Sequence, residues 1–308
     1  MPHSTRAPQP PEPPPDAPRP TPISYPSDTF ITIAQLAADS TRLIPYLARR
    51  CQAIVGIARS GMIPAAILAT QLHLPLYSVH AGRVTHAGHG IRLEPGNTHA
   101  PRVAIVDDTA ASGYAMRNTW PAVAAAFGTK PLTVTVYTTP LAQPQLDYWA
   151  AELPGNHFLE WNLWNAGHFT QAATDFDGIL CQEIDPRDDD DGPRYAAAIA
   201  AALPKYLPRR KPIPLIITSR LERWRNATDQ WLRLHGIQYQ KLSMGPWKSI
   251  DERNQDWPLR VSMRKAEQYS HSRCTLFLES DPQQAHHIAN FTAKPVLCPA
   301  LPRILHRR

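Results

Sequence analysis

Cysteine is scarce. The chain has four, Cys51, Cys181, Cys274 and Cys298, all far apart in sequence and none in a CxxC pair. That spacing argues against a cysteine zinc site and a disulfide framework, and fits a reducing cytoplasm. Long apolar runs are also missing. The longest candidate, from Ile54 to Leu76, is interrupted by Arg59, two prolines and His73, so nothing reaches the roughly 20 apolar residues that span a bilayer. The N-terminus lacks the apolar core of a secretory signal. A cytoplasmic protein without a membrane partner is expected. The formal net charge is +6, but the cations are dispersed apart from short groups such as Arg209-Arg210-Lys211 and His306-Arg307-Arg308. A concentrated nucleic-acid footprint is absent, so no specific nucleic-acid partner is expected.

Proline, by contrast, is abundant. Of 33 prolines in 308 residues, many crowd the first 28 positions, where large apolar side chains are few. Such a segment buries too little surface to offset its ordering entropy, so residues 1–28 read as a disordered, partly polyproline-II tail. From Phe30 the pattern changes. Apolar residues at helical spacing cover Ile31 to Ala48. A buried strand is predicted at 53–57, a helix at 62–72 and a strand at 76–79. A glycine- and histidine-rich loop is expected over 81–101. Then come a strand at 102–106, a helix at 114–127 and a strand at 132–137. Strands alternating with helices predict an α/β fold with a parallel sheet and right-handed crossovers. Residues 141–170, with Trp149, Trp161 and Trp164, read as a connector between domains. A second alternation follows: strand 172–174, helix 194–203, strand 214–218, helix 221–235, a short helix near 265–269, strand 275–278 and helix 283–291.

Two motifs sit at strand ends. In the first, Val103-Ala104-Ile105-Val106 leads into Asp107-Asp108 and then Thr109-Ala110-Ala111-Ser112-Gly113. Small residues let backbone N–H groups converge on a phosphate, and the N-terminus of the next helix adds a favourable field. Thr109 and Ser112 can donate hydroxyl hydrogen bonds. Two acids would repel phosphate, so they suit ribose hydroxyls or hydrated Mg²⁺. This stretch resembles the phosphoribosyl diphosphate (PRPP) motif of type I phosphoribosyltransferases. About fifty residues upstream, Val55-Gly56-Ile57-Ala58-Arg59-Ser60-Gly61 resembles that family's pyrophosphate loop. The resemblance implies that Asp107 and Asp108 hold the ribose, Thr109, Ala110, Ala111, Ser112 and Gly113 the 5′-phosphate, and Arg59, Ser60 and Gly61 the pyrophosphate. Arg83, His86, His89 and Arg92 stand where the family carries its mobile active-site loop. The catalytic lysine of some members has no clear counterpart.

In the second motif, Asp175-Phe176-Asp177-Gly178 follows a short apolar strand. Two carboxylates one residue apart can divide the work at one phosphate, with one attacking phosphorus and the other handling protons. Downstream stand Thr218 at the end of Pro214-Leu215-Ile216-Ile217, then Lys265, then Glu279-Ser280-Asp281 after Thr275-Leu276-Phe277-Leu278. A lone acid pair is equally a turn or calcium motif, but this ordered set resembles the four motifs of the haloacid-dehalogenase (HAD) phosphatase superfamily. The resemblance implies Asp175 as nucleophile, Asp177 as acid/base, Thr218 and Lys265 as phosphate binders, and Mg²⁺ held among Asp175, Asp177, Glu279 and Asp281. Lys248 is a weaker rival to Lys265, and the run Asp188 to Asp191 reads as a solvated loop.

The expected architecture is therefore two doubly wound α/β domains. A phosphoribosyltransferase-like domain spans 29–140. A connector spans 141–170, and a HAD-like Rossmannoid domain with little or no cap spans 171–308. The implied activity is PRPP-dependent transfer to a base followed by Mg²⁺-dependent phosphate monoester hydrolysis, with PRPP and a base or nucleotide as ligands. Alternative readings are a PRPP-sensing domain that controls a phosphatase, or a nucleic-acid end-processing phosphatase. The sequence leaves the oligomeric state open, a homo-oligomer included.

Overall fold

A computed structural model describes residues 21–90, 102–255 and 257–307. The chain divides into two compact units. One takes in Ile33–Asn156 and the described residues up to Ser27; the other takes in Asp28–Thr32 and His157–Arg308. Among the described residues no helix is long and apolar enough to cross a membrane.

The first unit is a seven-stranded sheet in the order Ile23–Ser24, Tyr148–Glu152, Leu132–Thr138, Val103–Ala110, Ala53–Ile57, Leu76–His80 and Arg83–Gly88. Every neighbouring pair is parallel except the last. The central strands are apolar on both faces, as strands covered by crossover helices must be: Ile54, Val55, Val103, Ala104, Ile105 and Val106 are all fully buried. The helices Met62–Leu72 and Tyr114–Phe127 occupy the predicted spans. The first ends on His73 in a left-handed conformation, the second on Gly128 at φ +64°.

Several expectations shift. The helix expected over 31–48 is broken into a helix at Ile33–Ser40, a 3-10 turn at Thr41–Leu43 and a helix at Ile44–Leu47. Ile31 instead belongs to a strand, and Pro45, at the first turn of the last piece, has no N–H to continue the earlier helix. The stretch expected as a loop begins as an antiparallel edge strand, Arg83–Gly88, turned through Ala81 and Gly82. Arg92 and the rest of 91–101 lie outside the described residues. So do residues 1–20 of the expected tail, whereas Ile23–Ser24 pairs with Tyr148–Glu152 at the sheet edge. That pairing draws part of the expected connector into the first sheet.

The second unit has a five-stranded parallel sheet in the order Tyr239–Gly245, Ile213–Leu221, Ala172–Thr174, Leu276–Leu278 and Val296–Leu297. Successive residues of these strands feed opposite cores. Ala172, Ile216, Leu276 and Leu278 pack on one face, Ala173, Leu215, Ile217 and Phe277 on the other. Thr29–Ile31 pairs in parallel with His157–Leu159 as a small separate sheet. Between the first two site strands the only α-helix among the described residues is Pro193–Ala201, which packs against the helix Arg225–Leu234. The helix Leu259–Ser270 begins six residues before Lys265 and buries its ammonium-bearing chain.

Both sheets change direction once. In the first, the chain moves outward from Ala53–Ile57 to Leu76–His80, then returns to build on the other side with Val103–Ala110. In the second it moves from Ala172–Thr174 to Ile213–Leu221 and Tyr239–Gly245, then returns with Leu276–Leu278. At such a switch point the loops leave the carboxyl ends of two neighbouring strands in opposite directions and open a crevice.

Candidate active sites at two switch points

In the first unit Gly56 pairs with Val106 as the last pair between the two switch-point strands, so Ile57, which ends the first, and Asp107, within the second, come next side by side. The loops beyond them touch. A Cβ built on Gly61 would stand 2.8 Å from Asp107 Oδ1, 2.9 Å from the Val106 carbonyl and 2.7 Å from the Ile57 carbonyl. Only glycine fits there. Asp107 and Asp108 are both buried, and Asp107 Oδ1 accepts the Asp108 backbone N–H at 3.0 Å. Burial, and then the neighbouring Asp108 charge, push the Asp107 carboxyl well above the usual carboxylate range.

The strand runs further than predicted and includes Thr109 and Ala110. The buried Thr109 hydroxyl finds no hydrogen-bond partner among the described residues. Ala111 and Ser112 are exposed, Gly113 takes φ +69°, and the helix Tyr114–Phe127 starts directly after it. Gln145 lies over this turn: its Nε2 donates to the Ser112 carbonyl at 3.3 Å, and Arg117 Nη1 donates to the same carbonyl at 3.0 Å. Neither residue carried a signal in the sequence. On the facing loop Arg59 is exposed, Ser60 half-buried and Gly61 buried. His86 packs against Tyr77 and His89 rather than into a ligand cluster.

In the second unit Thr174 pairs with Leu278, which places Asp175 and Glu279 next to each other past the last pair. Lys265 reaches both. Its Nζ lies 2.6 Å from Asp175 Oδ2 and 2.8 Å from Glu279 Oε2. Burial works against the ammonium, but the two carboxylates outweigh it and hold Lys265 above its ordinary value. Burial and the Glu279 charge push the Asp175 carboxyl up, and Lys265 opposes them. One ammonium thus serves two acids.

Asp175, Asp177, Gly178, Ser219, Lys265 and Asp281 line a cavity of about 880 Å³. Thr218 does not. It is fully buried, and its Oγ1 accepts the Arg220 backbone N–H at 3.2 Å. The next residue of that strand, Ser219, lines the cavity instead. Glu279 does not line it either, since it has no exposed surface and its oxygens are taken by Lys265 and by the Asp281 backbone N–H at 3.1 Å. Asp281 caps the helix Pro282–Thr292 through Oδ1, which accepts from Gln284 N at 2.7 Å. Lys248 lines no part of the cavity. The acidic run is not a free solvated loop: Asp189 pairs with Arg253, Asp190 with Arg194 and Asp191 with Arg223.

Three further residues of this site were not singled out from sequence. Arg220 has no exposed surface and grips Asp177 with two bonds, Nε to Oδ2 at 3.0 Å and Nη2 to Oδ1 at 2.6 Å. Its guanidinium also lies 4.1 Å from the Phe176 ring centroid. A basic residue two positions after Thr218 was its only signal. Lys205 Nζ donates to the Gly178 carbonyl at 2.8 Å and lines the cavity. Glu183 stands against Gly178 and Ser280; partial burial and the charges of Asp175 and Asp177 raise its carboxyl to about 7.

Among the described residues no group of three or more His, Cys, Asp or Glu side chains is arranged to hold a metal. Five carboxylates line the cavity; Arg220 holds Asp177, Arg253 holds Asp189, Glu183 accepts from Ser280, and the remaining two are Asp175 and Asp281. Magnesium needs few protein donors, because it keeps several waters and binds through one or two carboxylates. A site with two carboxylates and an excess of negative charge fits that requirement.

No family model matches the chain, and no curated protein matches it. Among solved structures, the purine phosphoribosyltransferase of Pyrococcus horikoshii Ot3 is similar at 22% identity over 43% of this chain and 92% of its own, with a TM-score of 0.34. The xanthine-guanine-hypoxanthine phosphoribosyltransferase of Helicobacter pylori is similar at 15% identity over 44% of this chain and 92% of its own, with a TM-score of 0.34. The orotate phosphoribosyltransferase of Aeropyrum pernix is similar at 22% identity over 39% of this chain and 70% of its own, with a TM-score of 0.31.

Proposed function

We propose that the chain carries two activities: PRPP-dependent transfer of a phosphoribosyl group to a base, and hydrolysis of the 5′-phosphate of the nucleotide so formed by a HAD-type phosphatase domain. The observation that supports the second activity is the convergence of Asp175, Asp177 and Lys265 on one cavity at a switch point, from separate parts of the sequence. The first is supported by the fit of Gly61 against Asp107 at the other switch point.

In the first unit Asp107 and Asp108 face the ribose hydroxyls, and Thr109 to Gly113 take the 5′-phosphate. The orphaned Thr109 hydroxyl gains a partner when a phosphate oxygen arrives. Arg59, Ser60 and Gly61 take the pyrophosphate, with Arg59 free to reach it from the surface.

In the second unit an Asp175 oxygen attacks phosphorus, the bond to the ester oxygen breaks, and an aspartyl-phosphate forms. Asp177, held in place by Arg220, gives a proton to the departing alcohol and then takes one from the water that cleaves the aspartyl-phosphate. Lys265 stabilises the charge that grows on the phosphoryl oxygens, and Ser219 on the cavity wall offers them a hydroxyl donor. Asp175 and Asp281 would hold Mg²⁺, whose charge offsets that of the phosphate. Phosphate removal draws the reversible first step forward.

The test gives wild-type protein and Asp175→Asn PRPP, Mg²⁺ and a pool of bases, with products read by mass spectrometry. Wild type is expected to accumulate nucleoside and the variant the matching 5′-nucleotide. A nucleotide that wild type never dephosphorylates would remove the coupling. Tight PRPP binding without any transfer would leave the first unit a sensor.

A further inference from the structure

The phosphatase-type cavity has a second end. Beyond Asp175 and Lys265 its wall is built from Pro186, Asp189, Arg253, Asn254 and Trp257. Trp257 keeps 46% of its surface exposed, and it is the large exposed apolar side chain that lines this cavity. Behind it the structure is firm. Arg253 is buried, pairs with Asp189 Oδ2 at 2.8 Å, donates to Asn254 Oδ1 at 3.0 Å, and sets its guanidinium 5.8 Å from the Trp257 ring centroid.

An indole that lines a charged cavity, with Arg253 over its ring and 46% of its surface exposed, offers accessible aromatic surface. Planar rings gain most from such a surface, because stacking needs no hydrogen-bond pattern and works for every base. The nearby cation favours an electron-rich ring on the same wall. The cavity volume of about 880 Å³ lies within the range of small-molecule sites. One aromatic platform serves one ring. Resting on the phosphatase reading above, we infer that this site takes nucleoside monophosphates, with the phosphate at Asp175 and Lys265 and the base stacked on Trp257.

The chemistry gives a sharp comparison, since adenosine 5′-monophosphate and ribose 5-phosphate present the same phosphate with and without a base. Steady-state hydrolysis of both is measured with full-length wild type, Trp257→Ala and Trp257→Phe. The alanine variant is expected to lose roughly tenfold in kcat/KM on the nucleotide, the loss of one stacking platform, mainly through KM. It should leave ribose 5-phosphate unchanged, and the phenylalanine variant should recover most of the loss. Because Trp257 is not among the buried core residues, both changes leave core packing in place. Equal losses on both esters, or none on the nucleotide, overturn the inference and leave the phosphatase reading standing. Strong preference for a 5′-phosphorylated oligonucleotide over the mononucleotide overturns it in favour of end processing. No hydrolysis of any ester by wild type overturns the phosphatase reading and this inference with it.

Discussion

Arg220 holds both carboxylate oxygens of Asp177 while itself having no exposed surface. Asp177 lies at the cavity and Arg220 behind it, so a buried cation orients a carboxylate that lines the cavity. A bidentate Arg–carboxylate pair fixes direction as well as distance, which a single ammonium cannot do. Arg220→Lys should therefore keep the charge and lose the orientation. Phosphate ester hydrolysis should fall by roughly tenfold or more, in kcat rather than KM, with PRPP binding unchanged. Arg220→Ala should also destabilise the second unit by about 3–5 kcal/mol, the usual effect of leaving one member of a buried pair alone. Hydrolysis kinetics and thermal unfolding read the two effects apart; full activity in the lysine variant would show that Asp177 needs no such support.

Asp175→Asn should abolish hydrolysis, with a loss on the order of a thousandfold or more. Asparagine can still accept the Phe176 N–H but cannot attack phosphorus. Folding should survive, because the change removes one of two acids that share Lys265. Turnover of a generic phosphate ester, with circular dichroism as the control, decides it.

Paired Asp107→Asn and Asp108→Asn changes should weaken PRPP binding and leave ester hydrolysis intact, since the acids belong to the other unit. Calorimetry with PRPP and Mg²⁺ checks this. Asp107→Asn alone should raise the melting temperature of the first unit. The sign follows from the raised carboxyl: its ionised form is disfavoured by the fold, so stability contributed by the protonated form is lost as pH rises above the unfolded value of about 3.9. The gain from the asparagine should accordingly be present at neutral pH and vanish in acid.

Gly61→Ala should disable the first site without any change of charge. Its methyl group would meet two backbone carbonyls and the Asp107 carboxylate inside 3 Å, and backbone cannot step aside as a flexible side chain can. A stability loss of about 1–3 kcal/mol is expected from overpacking, together with weakened PRPP binding. Unfolding curves and calorimetry measure both.

The Glu183 carboxyl, raised to about 7, supplies a pH test. It is neutral below that value and charged above it, when phosphate monoesters are already dianions. KM for an ester should climb as pH passes from 6 to 8. Glu183→Gln should flatten the climb and leave the low-pH KM unchanged.

Much of this was legible in the sequence because strand and helix periods are local. The continuous apolar run at 103–106 required a strand covered on both faces, and the helices 62–72 and 114–127 lie where their apolar spacing placed them. The acid pairs were also legible, but the structure sets Asp107-Asp108 within the strand Val103–Ala110 and Asp175-x-Asp177 just past the strand Ala172–Thr174. Tertiary structure alone decided which side chains reach the cavity. Sheet register set Glu279 beside Asp175 but buried it behind Lys265, and the irregular strand Ile213–Leu221 turned the Thr218 hydroxyl inward and put Ser219 on the wall. Arg220 and Trp257 had no periodic signal, since their roles depend on partners 43 positions away for the first and on a cavity wall assembled from distant segments for the second. A one-dimensional pattern reports which residues share a face of their own element; it carries no information on which faces the crossovers bring together.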